Sequence, residues 1–151
     1  MAIFQAMAFL KSQGEKVYFH HIGESVFDVK KLAGKFGVDD QVVIWGYHPH
    51  KKCLEILKTM DVFVVILDES VKNADKTAGG KLYEYLGFRK PILAIVPENG
   101  EAAQVIHLTK SGLICTSKNI QGIAKTLQKI KETEFEYFNI EQFSRENQAR
   151  Q

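Results

Sequence analysis

Between Thr77 and Glu84 the chain reads TAGGKLYE, and these residue types suit the binding of anions and polyols. Gly79 and Gly80 lack a Cβ and stand where a helix should begin. A phosphate can therefore come close to backbone amides that have no partner inside the helix. Lys81 adds a mobile positive charge. Glu84 lies four residues after Gly80 and three after Lys81, on a shared helix face. A carboxylate there can accept two hydrogen bonds from vicinal hydroxyls, as acidic residues do for a ribose. Two plainer readings stand beside this one. The glycine pair can be a loop hinge, and Lys81 with Glu84 can be a surface ion pair of little energetic weight. Neither explains why four such residues gather after a long polar loop and ahead of an apolar run.

Residues of this kind need a scaffold, and the rest of the chain spells one. Five short apolar runs, 16–23, 41–46, 62–67, 91–96 and 112–115, are rich in β-branched and aromatic residues. Strands of a parallel sheet covered on both faces have this composition. Helical patterns over 2–13, 26–36, 50–59, 80–88, 101–110 and 119–131 alternate with them. Within the second, Val29, Leu32, Ala33 and Phe36 recur at helical spacing. Gly14, Gly37, Gly87 and Gly112 stand near helix ends, where a left-handed cap is wanted. The alternation predicts an α/β fold: a Rossmann-like three-layer α/β/α arrangement with a doubly wound parallel sheet of about five strands. The usual first strand, whose loop approaches the ligand phosphate, is expected to be lacking, since the pattern opens on a helix. Residues 1–151 are expected to form a single domain, with 134–151 as a closing helix or tail.

Ligands of open α/β sheets sit beyond the carboxyl ends of the strands. The positions there are Gly23 and Glu24; Gly46, Tyr47 and His48; Asp68 to Ser70; and Pro97 to Gly100. Composition narrows the partners. The formal net charge is +2 and the hydrophobic content is 45%, enough for a core and without the clustered basic face of a nucleic-acid module. Cys53 and Cys115 read as reduced thiols rather than a disulfide framework. No run approaches the roughly 20 apolar residues of a membrane span. The expected compartment is the cytoplasm, at or near the inner membrane face.

The stretch GGKLYEYLGFRKPILAIVPENGEAAQVI and the earlier DDQVVIWGYHPHKKCLEILKTMDVFVVIL resemble the donor-binding C-terminal half of two-domain (GT-B) retaining glycosyltransferases of the large group 1 family. The shared order is a strand, a Gly-aromatic turn, a helix and an Asp-led strand. A glycine, a Glu-bearing helix, a Lys-Pro turn, a strand and a Gly-Glu loop follow. The resemblance covers roughly residues 20 to 143, and FSRENQA resembles the helix that crosses back to the N-terminal half. It implies a nucleotide-sugar donor, UDP- or GDP-linked, and hexosyl transfer to a glycan, lipid or small-molecule acceptor. No further cofactor or metal is implied. By position, Glu84 would bind the ribose hydroxyls and Gly79 would approach the donor sugar and phosphates. Gly80, Lys81 and Leu82 would line the pyrophosphate, with Thr77 beside them. Gly46 and Tyr47 would edge the nucleobase, and Glu101 with Pro97 to Gly100 would form a lid or packing element. The family's first glutamate, eight residues before Glu84, is here Lys76. The family's upstream basic pair and its acceptor-binding lobe are not in this sequence, so this chain alone is not expected to catalyse transfer efficiently. Positioning of donor against acceptor supplies much of the rate.

The implied partners are the donor, the acceptor lobe and, for the whole enzyme, a peripheral membrane surface; no nucleic acid is expected. The aromatics Phe135, Tyr137, Phe138 and Phe143 should pack on a surface supplied by the other lobe, or drive a homodimer. Other readings are a sugar-nucleotide epimerase lobe and a non-enzymatic Rossmann-like interaction module. His48, His50 and Cys53 could be read as metal ligands, but no second ligand group stands at zinc-like spacing.

Overall fold

A computed structural model describes residues 2–25, 27–67, 80–130 and 132–143. They fall into two compact units, Met1–Met60 and Asp61–Gln151.

The first unit opens with α1 (Ala2–Ser12). Ile3, Ala6, Met7 and Leu10 recur at helical spacing and are buried, with Phe4 beside them. The Phe4 ring meets Phe19 edge-on, with centroids 5.3 Å apart. Gly14, at φ 81°, turns the chain out of α1. Strand β1 (Phe19–Ile22) then pairs in parallel with β2 (Val42–Gly46), Phe19 opposite Val42 and His21 opposite Ile44. Between them runs α2 (Val29–Gly34). It starts at Val29, the first residue of its apolar pattern and inside the expected range 26–36, because Asp28 caps it: Asp28 Oδ1 accepts from the Lys31 amide at 3.0 Å. Helix α3 (His50–Leu57) closes the unit.

The second unit carries β3 (Phe63–Ile66), α4 (Gly80–Leu86), β4 (Ile92–Ile95), α5 (Glu101–Thr109), β5 (Gly112–Cys115) and α6 (Ile120–Ile130). The strands pair in parallel in the order β3-β4-β5. All four residues of β4 are buried, so both of its faces are covered, as its unbroken apolar run requires. Helices α5 and α6 both pack on β4 and β5, and α4 packs on β3. The class is α/β, Rossmann-like and three-layered. Hydrogen bonding divides the five strands into two ladders rather than one sheet. In the doubly wound order the first strand is central, and no strand with that pairing is found among the described residues.

Two of the four glycines expected as left-handed caps, Gly14 and Gly37, take that conformation; Gly87 and Gly112 do not. Arg89 (φ 53°) follows α4 and Lys110 (φ 49°) ends α5 in their place. Gly112 is needed for space instead. A Cβ there would collide with the backbone of Ile92 on β4.

The aromatic segment after α6 packs within its own unit. The Glu136 and Tyr137 amides donate to the Lys110 carbonyl, and the Phe138 amide donates to that of Thr109 at 2.6 Å. Lys110 and Glu136 form an ion pair at 3.4 Å. A 3-10 turn, Ile140–Phe143, then lies against α4. Phe138 remains exposed. Both thiols are free, as read from the sequence: Cys53 is half-buried and Cys115 is buried. No described helix is long and apolar enough to cross a membrane.

Candidate functional site

Helix α4 gathers the charged and polar candidates of the second unit. Its Leu82 and Leu86 are buried in the core, which fixes the inward face. At 3.6 residues per turn, Glu84 stands about 180° from the mean direction of these two leucines. It is nevertheless only half-exposed. Lys81 is exposed one turn earlier on the flank of Glu84. Gly80 begins the helix, whereas Gly79, Thr77 and Lys76 lie outside the described residues. The side chain of Leu82 belongs to the hydrophobic core. Any role beside a phosphate would fall to its backbone.

Aromatic residues flank Glu84 on both sides. Tyr85 stacks on Phe63 of β3, with centroids 4.6 Å apart and planes 19° apart, and Phe88 meets the same Phe63 ring at 5.3 Å. Tyr83 stacks on Phe143, at 6.3 Å and 21°. Burial, and secondly the charge of Glu84, push the Tyr85 hydroxyl above its ordinary pKa. Burial and the Glu101 carboxylate do the same to Tyr83. Glu101 therefore bears on α4 from the start of α5. The preceding loop is drawn tight by a hydrogen bond from the Gly100 amide to the Pro97 carbonyl at 3.1 Å.

In the first unit, Gly46 ends β2 at φ 73°, and a Cβ there would meet nothing within 4 Å. Glycine is thus required for backbone conformation and not for room. Its carbonyl accepts from the Gly23 amide at 2.8 Å, which ties the carboxyl ends of β1 and β2 together. Tyr47 is 74% exposed. Trp45 lies between two imidazoles. Its indole N–H donates to His20 Nδ1 at 3.0 Å, and its ring meets His48 edge-on at 6.5 Å. The Cys53 thiol donates to the His48 carbonyl at 3.3 Å. Among the described residues, no three His, Cys, Asp or Glu side chains cluster in a way that could hold a metal ion.

The sequence reading missed Tyr83, Tyr85 and Phe63 as supports of Glu84. The run Leu-Tyr-Glu-Tyr-Leu carried a signal, since a carboxylate bracketed by aromatics and leucines already defines three helix faces. Phe143 could not be paired with Tyr83 from local pattern. The model for the family described as Glycosyl transferases group 1 matches residues 2–148. No curated protein matches the chain.

Proposed function

The chain belongs to the group 1 glycosyltransferases, and on that premise we propose that it serves as the lobe that binds the nucleotide-sugar donor. Membership places it among enzymes of glycosyl transfer. The finer assignments are proposals. A UDP- or GDP-linked hexose is the donor, and Glu84 accepts hydrogen bonds from the two ribose hydroxyls. Gly79, Gly80, Lys81 and the backbone of Leu82 face the pyrophosphate, with Thr77 next to them. Gly46 and Tyr47 edge the nucleobase. In transfer the bond from the anomeric carbon to the diphosphate breaks and an acceptor hydroxyl takes its place. The lobe's share is to hold the nucleoside diphosphate so that the sugar faces the acceptor-binding lobe, which another part of the enzyme supplies. We further propose that the acceptor is a glycan, a lipid or a small molecule and that the enzyme works in the cytoplasm near a membrane face.

One observation carries this reading. Glu84 stands opposite the buried Leu82 and Leu86 on a helix of a chain matched by the family over nearly its whole length. The test is a thermal-shift titration with UDP, GDP, ADP, TDP and their sugar conjugates, on wild type and Glu84→Ala. A ligand that binds only the folded state stabilises it by about 2.7 kcal/mol at 100 times its dissociation constant. We expect one nucleotide to raise the melting temperature of wild type and to lose that effect in Glu84→Ala. No shift with any of them at millimolar concentration would favour the interaction-module reading.

A further inference from the structure

The segment that follows α6 touches the Glu84 helix at one point and the turn just beyond it at another. Phe143 stacks on Tyr83, and Glu141 Oε1 accepts from the Arg89 guanidinium, just past the helix end, at 3.2 Å. We propose that Phe143 and Glu141 are positioning residues for the donor site, setting the direction of Glu84 through α4; this rests on the donor-site reading above.

α4 has seven residues, well below the roughly 12–15 at which an isolated helix becomes even marginal in water. Tertiary packing must hold it. Leu82 and Leu86 fix its depth in the core, but two leucines one turn apart form a narrow ridge about which the helix can roll. Roll is what Glu84 would feel most. Its carboxylate stands about 5–6 Å from the helix axis, so a roll of roughly 10° displaces it by about 1 Å. A displacement of about 1 Å can cost a site two orders of magnitude in function.

The two tyrosines next to Glu84 lie about 100° to either side of it, and each is held by a ring of another element. Phe63 of β3 blocks roll in one direction, and Phe143 blocks it in the other. The Arg89–Glu141 pair is exposed on both sides and adds little to stability by itself. It ties down the end of α4, where Arg89 already takes a left-handed conformation. The segment is in turn anchored to the end of α5 by the Thr109 and Lys110 carbonyls. It thus spans from one helix of the sheet to the helix that carries the candidate carboxylate.

The experiment is calorimetric titration of the whole chain with UDP, GDP, ADP and TDP. The nucleotide that binds wild type is then titrated into Phe143→Ala, Phe143→Tyr, Glu84→Ala and the Phe143→Ala, Glu84→Ala double variant. Phe143→Ala should weaken binding about fivefold, a coupling of ordinary size for residues in one network. Phe143→Tyr, which keeps the ring, should stay within about twofold of wild type. In the Glu84→Ala background Phe143→Ala should add less than about twofold, because the group it positions is gone. Equal losses in both backgrounds would show that the ring supports the unit generally and would overturn the proposal, as would unchanged affinity in Phe143→Ala. Should Phe143→Ala lose its far-ultraviolet dichroism, Glu141→Gln takes its place, with a loss of about twofold that vanishes in Glu84→Ala; an equal loss in both backgrounds, or none, would overturn the proposal. Failure of wild type to bind any of the four nucleotides would instead overturn the donor reading itself, before any variant is compared.

Discussion

Glu84 shows how a single position acquires meaning only from its neighbours. A glutamate on a short surface helix is ordinary. This one stands opposite two buried leucines and between two tyrosines held by rings of other elements. Tyr85 records the local field. Its hydroxyl is held above the ordinary pKa of 10.0 by burial and then by the charge of Glu84. The folded protein therefore holds the phenolic proton more tightly than the unfolded chain does. The stability linked to that proton is fully present below about pH 10 and is lost as pH rises through the folded-state value. Alkaline unfolding should consequently begin at higher pH in Tyr85→Phe, provided its stability at neutral pH is matched. Tyrosinate absorbance during a pH titration should also show one phenol fewer titrating late. Asp40, at the other extreme, is exposed and held below its ordinary pKa by its hydrogen bond from Lys11. Its contribution would be present at neutral pH and lost only in acid.

At the scale of elements, legibility followed how local each cause was. The apolar run Ile92–Ile95 announced a strand covered on both faces because that burial selects an unbroken hydrophobic sequence. Helix α1 was visible in its spacing, and the turn after β2 in its Gly-aromatic pair. The start of α2 was set at residue 26, although its apolar pattern begins at Val29 and Asp28 was there to mark the cap. Leu82, expected beside the pyrophosphate, has its side chain in the core, as its spacing to Leu86 already implied, which leaves its backbone for any such role. Strand pairing is not a local property, so two ladders were read as one sheet. The partner of Phe143 was hidden for the same reason. Element β4 also gives a quantitative expectation. Leu93 is fully buried at its centre, and Leu93→Ala should cost about 3 kcal/mol by urea denaturation, from lost burial and the cavity left behind.

The whole molecule adds what neither scale contains, the division into two compact units. The one tryptophan, Trp45, lies in the first unit, and Leu93 lies in the second. Trp45 emission thus reports the first unit, whereas far-ultraviolet dichroism sums over the helices of both, and Leu93→Ala should lower the dichroism midpoint further than the emission midpoint. A single shared shift for both probes would mean that the chain unfolds as one cooperative body. The contact between Arg89 and Glu141 closes a span of 52 residues, and a contact of that reach carries a cost in time. Loop closure disfavours such pairings until local structure has formed. The brace on α4 should therefore be among the last contacts made as the chain folds. In a chevron experiment Phe143→Ala should leave the refolding limb nearly unchanged and raise the unfolding rate. The helix that carries Glu84 would then be finished late and released early, a short-lived part of an otherwise durable fold.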